Sequence, residues 1–182
     1  MKILKWLLIV VLALVLVLVG FLAYMGYFST PKVTTQKIGP YTLVYEEYIG
    51  PYSNTGKVLA KVFNALKADG IITTKGFGIY LNDPKSTTPD KLHSLVGCVL
   101  EKKDEGKAWQ LRKKHKVMTW KTKDCLVTEF PIKNDLSYMI GPMKAYPELN
   151  KAMQDKKVKL GACMELYDMP AKKTLFIFEI IK

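Results

Sequence analysis

The chain has 182 residues, 49% of them hydrophobic and 24% charged, with a formal net charge of +12 at pH 7. That length holds about one ordinary domain, and the composition excludes a disordered or fibrous chain. Cys98, Cys125 and Cys163 are odd in number and widely spaced, which excludes a disulfide framework and points to free thiols; no Cys or His stands at metal-ligand spacing.

Residues 1–5 form a basic flank with Lys2 and Lys5. From Trp6 to Phe28 no side chain is charged. A helix of that length reaches about 34 Å, enough for the roughly 30 Å core of a bilayer. Trp6, Tyr24, Tyr27 and Phe28 lie near its ends, where interfacial aromatics belong. A cleaved signal peptide has a shorter apolar run and a small-x-small cleavage site. Here the bulky Tyr24, Met25, Tyr27 and Phe28 spoil such a site, so a retained single-pass anchor at 6–28 is expected. Orientation is left open. The N-terminal lysines and amine favour the N-terminus inside and the domain translocated, whereas free thiols favour a reducing compartment.

Residues 29–37 read as a polar linker, and the folded part as 38–182, in two halves at about 38–101 and 124–182 joined by a basic connector, 102–123. Tyr41 to Ile49 is rich in strand formers. Gly50-Pro51-Tyr52 breaks it, and Ser53 or Asn54 caps a helix carrying Val58, Leu59, Val62, Phe63 and Leu66, closed by Gly70. Phe77 to Leu81 is a short strand ended by Asn82-Asp83-Pro84, in which Asp83 holds a turn. Leu92 to Leu100 is the next strand. In the second half Cys125 to Ile132 is a strand and Leu136 to Lys156 is helical, with Pro142 and Pro147 opposing one straight helix and placing a start or kink at Pro147. Ala162 to Tyr167 and Leu175 to Ile181 complete the set. Leu43-Val44-Tyr45-Glu46 recurs as Leu126-Val127-Thr128-Glu129, Tyr80 recurs as Tyr167, and Leu95 to Lys102 matches Leu175 to Lys182. The expected fold is α+β: a duplicated β-α-β-β domain with an antiparallel sheet, and two main helices packed on one side of it.

Gly50-Pro51-Tyr52, Gly78-Ile79-Tyr80 running into Asn82-Asp83-Pro84, Thr88-Pro89-Asp90-Lys91-Leu92, Val96-Gly97 and Glu165-Leu166-Tyr167, in that order, resemble the GyrI-like small-molecule-binding family. The resemblance spans 38–182 and implies an SHS2-type duplication with a ligand cleft between the halves. Members include multidrug-binding effector domains of transcription regulators, gyrase inhibitors and some hydrolases. A membrane helix before such a domain also resembles a vertebrate ER-phagy receptor of the same superfamily. In that receptor a long acidic tail follows the domain; none is present to Lys182, so the adaptor role is not expected. No helix-turn-helix has room before Ile38, so a transcription-regulator role is not expected either.

Strand alternation puts Cys163, Glu165 and Tyr167 on one face, with Met164 and Leu166 on the other. Aligning Tyr80 with Tyr167 sets Gly78 opposite Glu165, leaving room on one half and a carboxylate on the other. Glu165, Tyr167, Tyr80 and Tyr52 are thus the expected ligand-binding residues, suited to a flat aromatic cation. The family's acidic drug-contacting residue maps to Glu165. The alternative for Glu165 is a solvated strand residue paired to a lysine.

No catalytic residue, metal or cofactor is assigned. A hydrolase using Glu165 in the same cleft is the second reading, and a protein-recruiting scaffold at the membrane the third. Residues 102–123 hold nine Lys or Arg and two acidic residues, with Trp109 and Trp120 interleaved. They suit an anionic lipid surface. Nucleic acid is disfavoured, because no recognised nucleic-acid module accompanies the patch. A solvated loop is the plain alternative.

Overall fold

The computed structural model describes residues 2–181; Met1, in the expected basic flank, and Lys182, the expected end of the domain, lie outside the described residues. Helix α1 (Lys2–Tyr24) carries a continuous apolar surface that the rest of the chain leaves exposed. Its span Ile3–Tyr24 is long and apolar enough to cross a membrane, with mean hydropathy 3.2. The helix stops four residues before the apolar run does. Gly26, at φ +80°, takes the left-handed position that closes a helix, and the Tyr27 N–H reaches back to the Leu22 carbonyl at 3.0 Å. This turn drives Met25 into the domain, where it is fully buried beside Phe130 and Ile140. Residues 25–28 therefore differ from the expected anchor: they belong to the domain's edge.

The expected linker differs too. Lys32 offers its carbonyl to Thr128 Oγ1 at 2.9 Å, and strand β1 (Thr34–Ile38) pairs with residues 123–127. The chain continues through β2 (Tyr41–Ile49), helix α2 (Thr55–Ala68), β3 (Lys75–Tyr80) and β4 (His93–Val99). The connector is structured as well: a short helical stretch, α3 (Ala108–Leu111), and β5 (Lys116–Trp120). The second half follows as β6 (Lys123–Pro131), α4 (Ser137–Lys156), β7 (Lys159–Asp168) and β8 (Lys173–Ile181). Every strand and helix expected from the sequence is present, with shifted ends, whereas β1 and β5 were not expected.

The eight strands form one antiparallel sheet in the order β1-β6-β8-β7-β3-β4-β2-β5. Two tight corners force it to curl. Only Gly39-Pro40 separates β1 on one edge from β2 near the other, and only Lys121-Thr122 separates β5 from β6. The corners touch: a Cβ on Gly39 would stand 3.1 Å from the Lys121 carbonyl oxygen. Inside the curl one cluster gathers side chains from all eight strands, from Ile38 on β1 to Trp120 on β5. Trp120 is thus core, which corrects its expected place on a lipid-facing surface; Trp109 remains exposed, with Lys113 5.2 Å above its ring.

Helices α2 and α4 lie on the outer face, α2 over β2 and β4 through Val62 and Leu66, α4 over β6 and β8 through Ile140, Ala145 and Leu149. Helix α4 runs from Ser137 to Lys156 with both prolines inside it, correcting the helix start expected at Pro147. Pro142 and Pro147 leave the carbonyls of Tyr138 and Met143 without their helical donors, and both of those residues are exposed. The repeat also slips by one residue in its first strand. Val44 pairs with Cys98 and faces α2, whereas Val127 lies inside the curl and Leu126 faces α4. Val44 therefore corresponds to Leu126, not Val127; a one-residue slip exchanges the faces of a strand.

Candidate functional site

Each outer helix covers the outer strands of its own half and leaves β3 and β7, the two central strands, bare between them. The result is an open cleft of about 1550 Å³, walled by α2 and α4 and floored by β3 and β7. Alternation puts Gly76, Gly78 and Tyr80 of β3 on the cleft side, with Gly76 and Tyr80 lining the floor and Gly78 beneath the Tyr80 ring, while Phe77 and Ile79 point into the core. On β7 it puts Cys163, Glu165 and Tyr167 on the floor, while Met164 and Leu166 point inward.

The register pairs Gly78 with Glu165 directly, as expected. Across that pair the hydroxyls of Tyr80 and Tyr167 meet at 3.1 Å. Tyr167 donates to Glu165 Oε2 at 2.8 Å, and the Tyr146 hydroxyl, from α4, donates to Glu165 Oε1. The thiol of Cys163 lies 3.6 Å from the same Tyr146 oxygen. One connected string of polar groups thus crosses the floor, in surroundings that are otherwise mostly apolar.

Glu165 is 6% exposed and has no Lys, Arg or His partner among the described residues. The solvated, lysine-paired alternative for this residue is thereby corrected. Burial raises the carboxyl's pKa above its ordinary value, and the phenol donors Tyr146 and Tyr167 pull the other way. Burial and the neighbouring Glu165 charge raise the Tyr80, Tyr146 and Tyr167 phenols, so all three are neutral donors at physiological pH. Burial likewise raises the Cys163 thiol, leaving it a poor nucleophile.

Tyr52 stands at the end of the floor, its ring edge-on to Tyr80 with centroids 4.6 Å apart. Its hydroxyl is engaged by the scaffold: it donates to the Asn82 carbonyl at 2.9 Å and accepts from the Asn82 N–H at 3.2 Å. Only its ring faces the cleft. Asp83 holds the turn, its carboxylate accepting from the Lys85 N–H at 2.9 Å. The structure therefore brings together all four residues singled out from the sequence, Glu165, Tyr167, Tyr80 and Tyr52.

Sequence reasoning missed Tyr146 and Tyr138. Tyr146 falls at helical spacing with Met143, Leu149 and Met153, which gives it a helix face but not its partners, and the packing of α4 sets it over Cys163 and Glu165. Tyr138 packs edge-on to Tyr167 at 5.6 Å and forms part of the rim with Met139 and Met169. No group of three or more His, Cys, Asp or Glu suited to a metal ion occurs among the described residues.

The chain matches no protein-family model. It is 23% identical over 164 residues to the human Testis-expressed protein 264, a match covering 86% of this chain and 51% of that protein, so the chain spans about half the length of that relative. Among solved structures it is similar to the EcmrR C-terminal domain, with a TM-score of 0.58 and 15% identity over 84% of this chain and 98% of that one. It is also similar to SAV2435 bound to tetraphenylphosphonium, with a TM-score of 0.53 and 11% identity over 82% and 94% of the two chains. These likenesses establish the fold, which is the GyrI-like one.

Proposed function

We propose that this chain is a membrane-anchored receptor domain that binds an aromatic, apolar cation in the cleft without chemical conversion. The observation that carries the reading is Glu165: a nearly buried carboxylate, unpaired with any cation among the described residues, at the base of an apolar cleft ringed by tyrosines. A buried unpaired charge is costly, and a bound cation offsets that cost while the phenol rings attract it through their faces. The structural neighbour holding tetraphenylphosphonium supports this class of ligand. Helix α1 is read as the anchor, from its length, its apolarity and its full exposure.

Two features favour binding over hydrolysis by Glu165. Both carboxylate oxygens already accept phenol hydrogen bonds, which engage the group with the cleft floor rather than with a water to be activated. The Cys163 thiol is protonated and offers no second nucleophile. A scaffold that recruits a protein through its surface would not need this floor at all. Within 102–123, the Trp109 and Lys113 pair is the surface feature suited to anionic headgroups.

The test is a titration of the full chain in lipid nanodiscs with tetraphenylphosphonium and with neutral triphenylphosphine oxide. The full chain is needed because Met25 is part of the core. Binding of the cation but not the neutral compound, lost in Glu165→Gln, is the expected result. Equal binding of both, or none, overturns the reading. Turnover of an ester probe that disappears in Glu165→Gln would establish the hydrolase instead.

A further inference from the structure

The segment that holds the anchor and the segment that walls the cleft are the same. Lys133 donates to the carbonyl of Tyr24, the last residue of α1, and its ammonium sits 4.2 Å from the Tyr24 ring centroid. The Asn134 amide reaches the sulfur of the buried Met25 at 3.3 Å. One turn and more along α4, the Lys144 ammonium lies 5.9 Å from the Tyr27 ring centroid. On another side of this stretch Asp135, Tyr138, Met139 and Pro142 line the cleft. Between the two, outside the cleft lining, stand Leu136 and Met143, exposed by 42% and 56%.

Such a stripe has an explanation if the anchor's bilayer is close by. No flexible leash separates helix from domain: Met25 is buried, the Lys32 carbonyl is bonded to Thr128, and β1 is zipped to β6. With α1 as the anchor, Lys133 against Tyr24 and Lys144 against Tyr27 tie the two ends of this stretch to the point where α1 would leave the hydrocarbon. The chemistry of the stretch suits the headgroup layer there, with apolar side chains to insert and the Lys133 and Lys144 ammonium groups to meet lipid phosphates. The cleft rim at Tyr138, Met139 and Met169 would then open beside acyl chains.

We propose that the first turns of α4 lie in the membrane interface and present the cleft mouth to it, so that the cleft takes amphiphilic cations partitioned in the bilayer. This rests on the anchored, cation-binding reading given above and adds the source of the ligand. A cation with an aromatic head and an alkyl tail would place its head over Glu165 and leave its tail among the lipids.

The test uses the full chain in vesicles containing anionic lipid. Single variants Leu136→Cys and Met143→Cys, neither of which lines the cleft, carry a nitroxide, and Asn64→Cys on the exposed side of α2 serves as reference. Collision of each label with oxygen, which concentrates in lipid, is compared with collision with a water-soluble nickel chelate. Labels on α4 should show a several-fold higher oxygen-to-nickel ratio than the label on α2. Equal, water-like ratios overturn the proposal. In the same vesicles dodecyltriphenylphosphonium, held in the membrane by its tail, should displace tetraphenylphosphonium from the cleft. Failure to displace it while tetraphenylphosphonium still binds overturns the membrane route. Lipid-like α4 labels with no binding of either cation would sink the ligand reading instead, so the two failures are distinguishable.

Discussion

The two halves of the domain share one β-α-β-β plan and divide the work of the cleft unequally. The first half supplies space for its own neighbours: Leu59 lies over Gly76 and the Tyr80 ring over Gly78, where a side chain would otherwise stand. The second half supplies chemistry, with Cys163 and Glu165 at the matching positions on β7 and Tyr146 reaching down from α4. Only the tyrosine pair, Tyr80 and Tyr167, is kept by both. Two halves of one plan can therefore build an asymmetric site by assigning bulk to one half and absence of bulk to the other.

The largest effect should come from exchanging those assignments inside the curl. Gly97 on β4 and Ile177 on β8 occupy matching inward positions, but a Cβ on Gly97 would stand 1.9 Å from the Val44 carbonyl oxygen. Backbone cannot yield as a side chain does, so Gly97→Val should cost at least about 3 kcal/mol, read from denaturant unfolding. Ile177→Ala, a fully buried truncation, should cost about 2–5 kcal/mol for the opposite reason, an unfilled void.

Glu165→Gln removes the charge while keeping the shape. Affinity for tetraphenylphosphonium should fall about 10- to 100-fold, the range for losing one charged interaction. Its effect on unliganded stability has the opposite sign. Because the folded carboxyl has a raised pKa, the native state holds its proton longer than the unfolded chain does. Stability therefore falls as pH rises from the ordinary glutamate value near 4.5 to the raised native one, and is level above it. Glu165→Gln should abolish that fall and melt at a higher temperature than wild type at neutral pH. Cation affinity of the wild type should rise across the same pH window.

Gly78→Ala tests the half that supplies space. Its Cβ would lie 2.9 Å from the Tyr80 ring, which can swing away, so stability should change by no more than about 1 kcal/mol while affinity for bulky cations drops several-fold in the same titration. Tyr52→Phe should be the mildest. It keeps the ring against Tyr80 and loses a hydroxyl that serves Asn82, at about 1 kcal/mol in thermal unfolding with little change in cation affinity.

The cleft floor was legible in the sequence because alternation on β3 and β7 is strict: Gly78, Tyr80, Glu165 and Tyr167 could be assigned a face from spacing alone. Tyr146 was hidden because its side chain meets the floor only through the packing of α4 on β6 and β8, which no local pattern encodes. Strands β1 and β5 were hidden for a related reason. Each is short, polar on its exposed side, and pairs with a strand of the half that it does not adjoin in sequence order by hairpin. Trp120 looked like a surface aromatic among lysines because its neighbours' charges face solvent, whereas its own ring closes the inside of the curl. The exposed length of α1 was plain from composition, but its last contact, Met25 in the core, depended on a glycine turn that reads equally well as the end of any helix.

That contact also sets an order of assembly. Met25 and its partner Asn134 are 109 residues apart. At about 5–20 residues per second the ribosome delivers the second on the order of ten seconds after the first. On the anchored reading proposed above, the apolar helix is handed to the membrane while the pocket for its final turn does not yet exist. Docking must wait for α4 and for β6, which carries Phe130, so the joint between anchor and domain closes late in biogenesis. A chain whose synthesis stalls between those points would carry α1 loose, with the Met25 site on the domain unfilled.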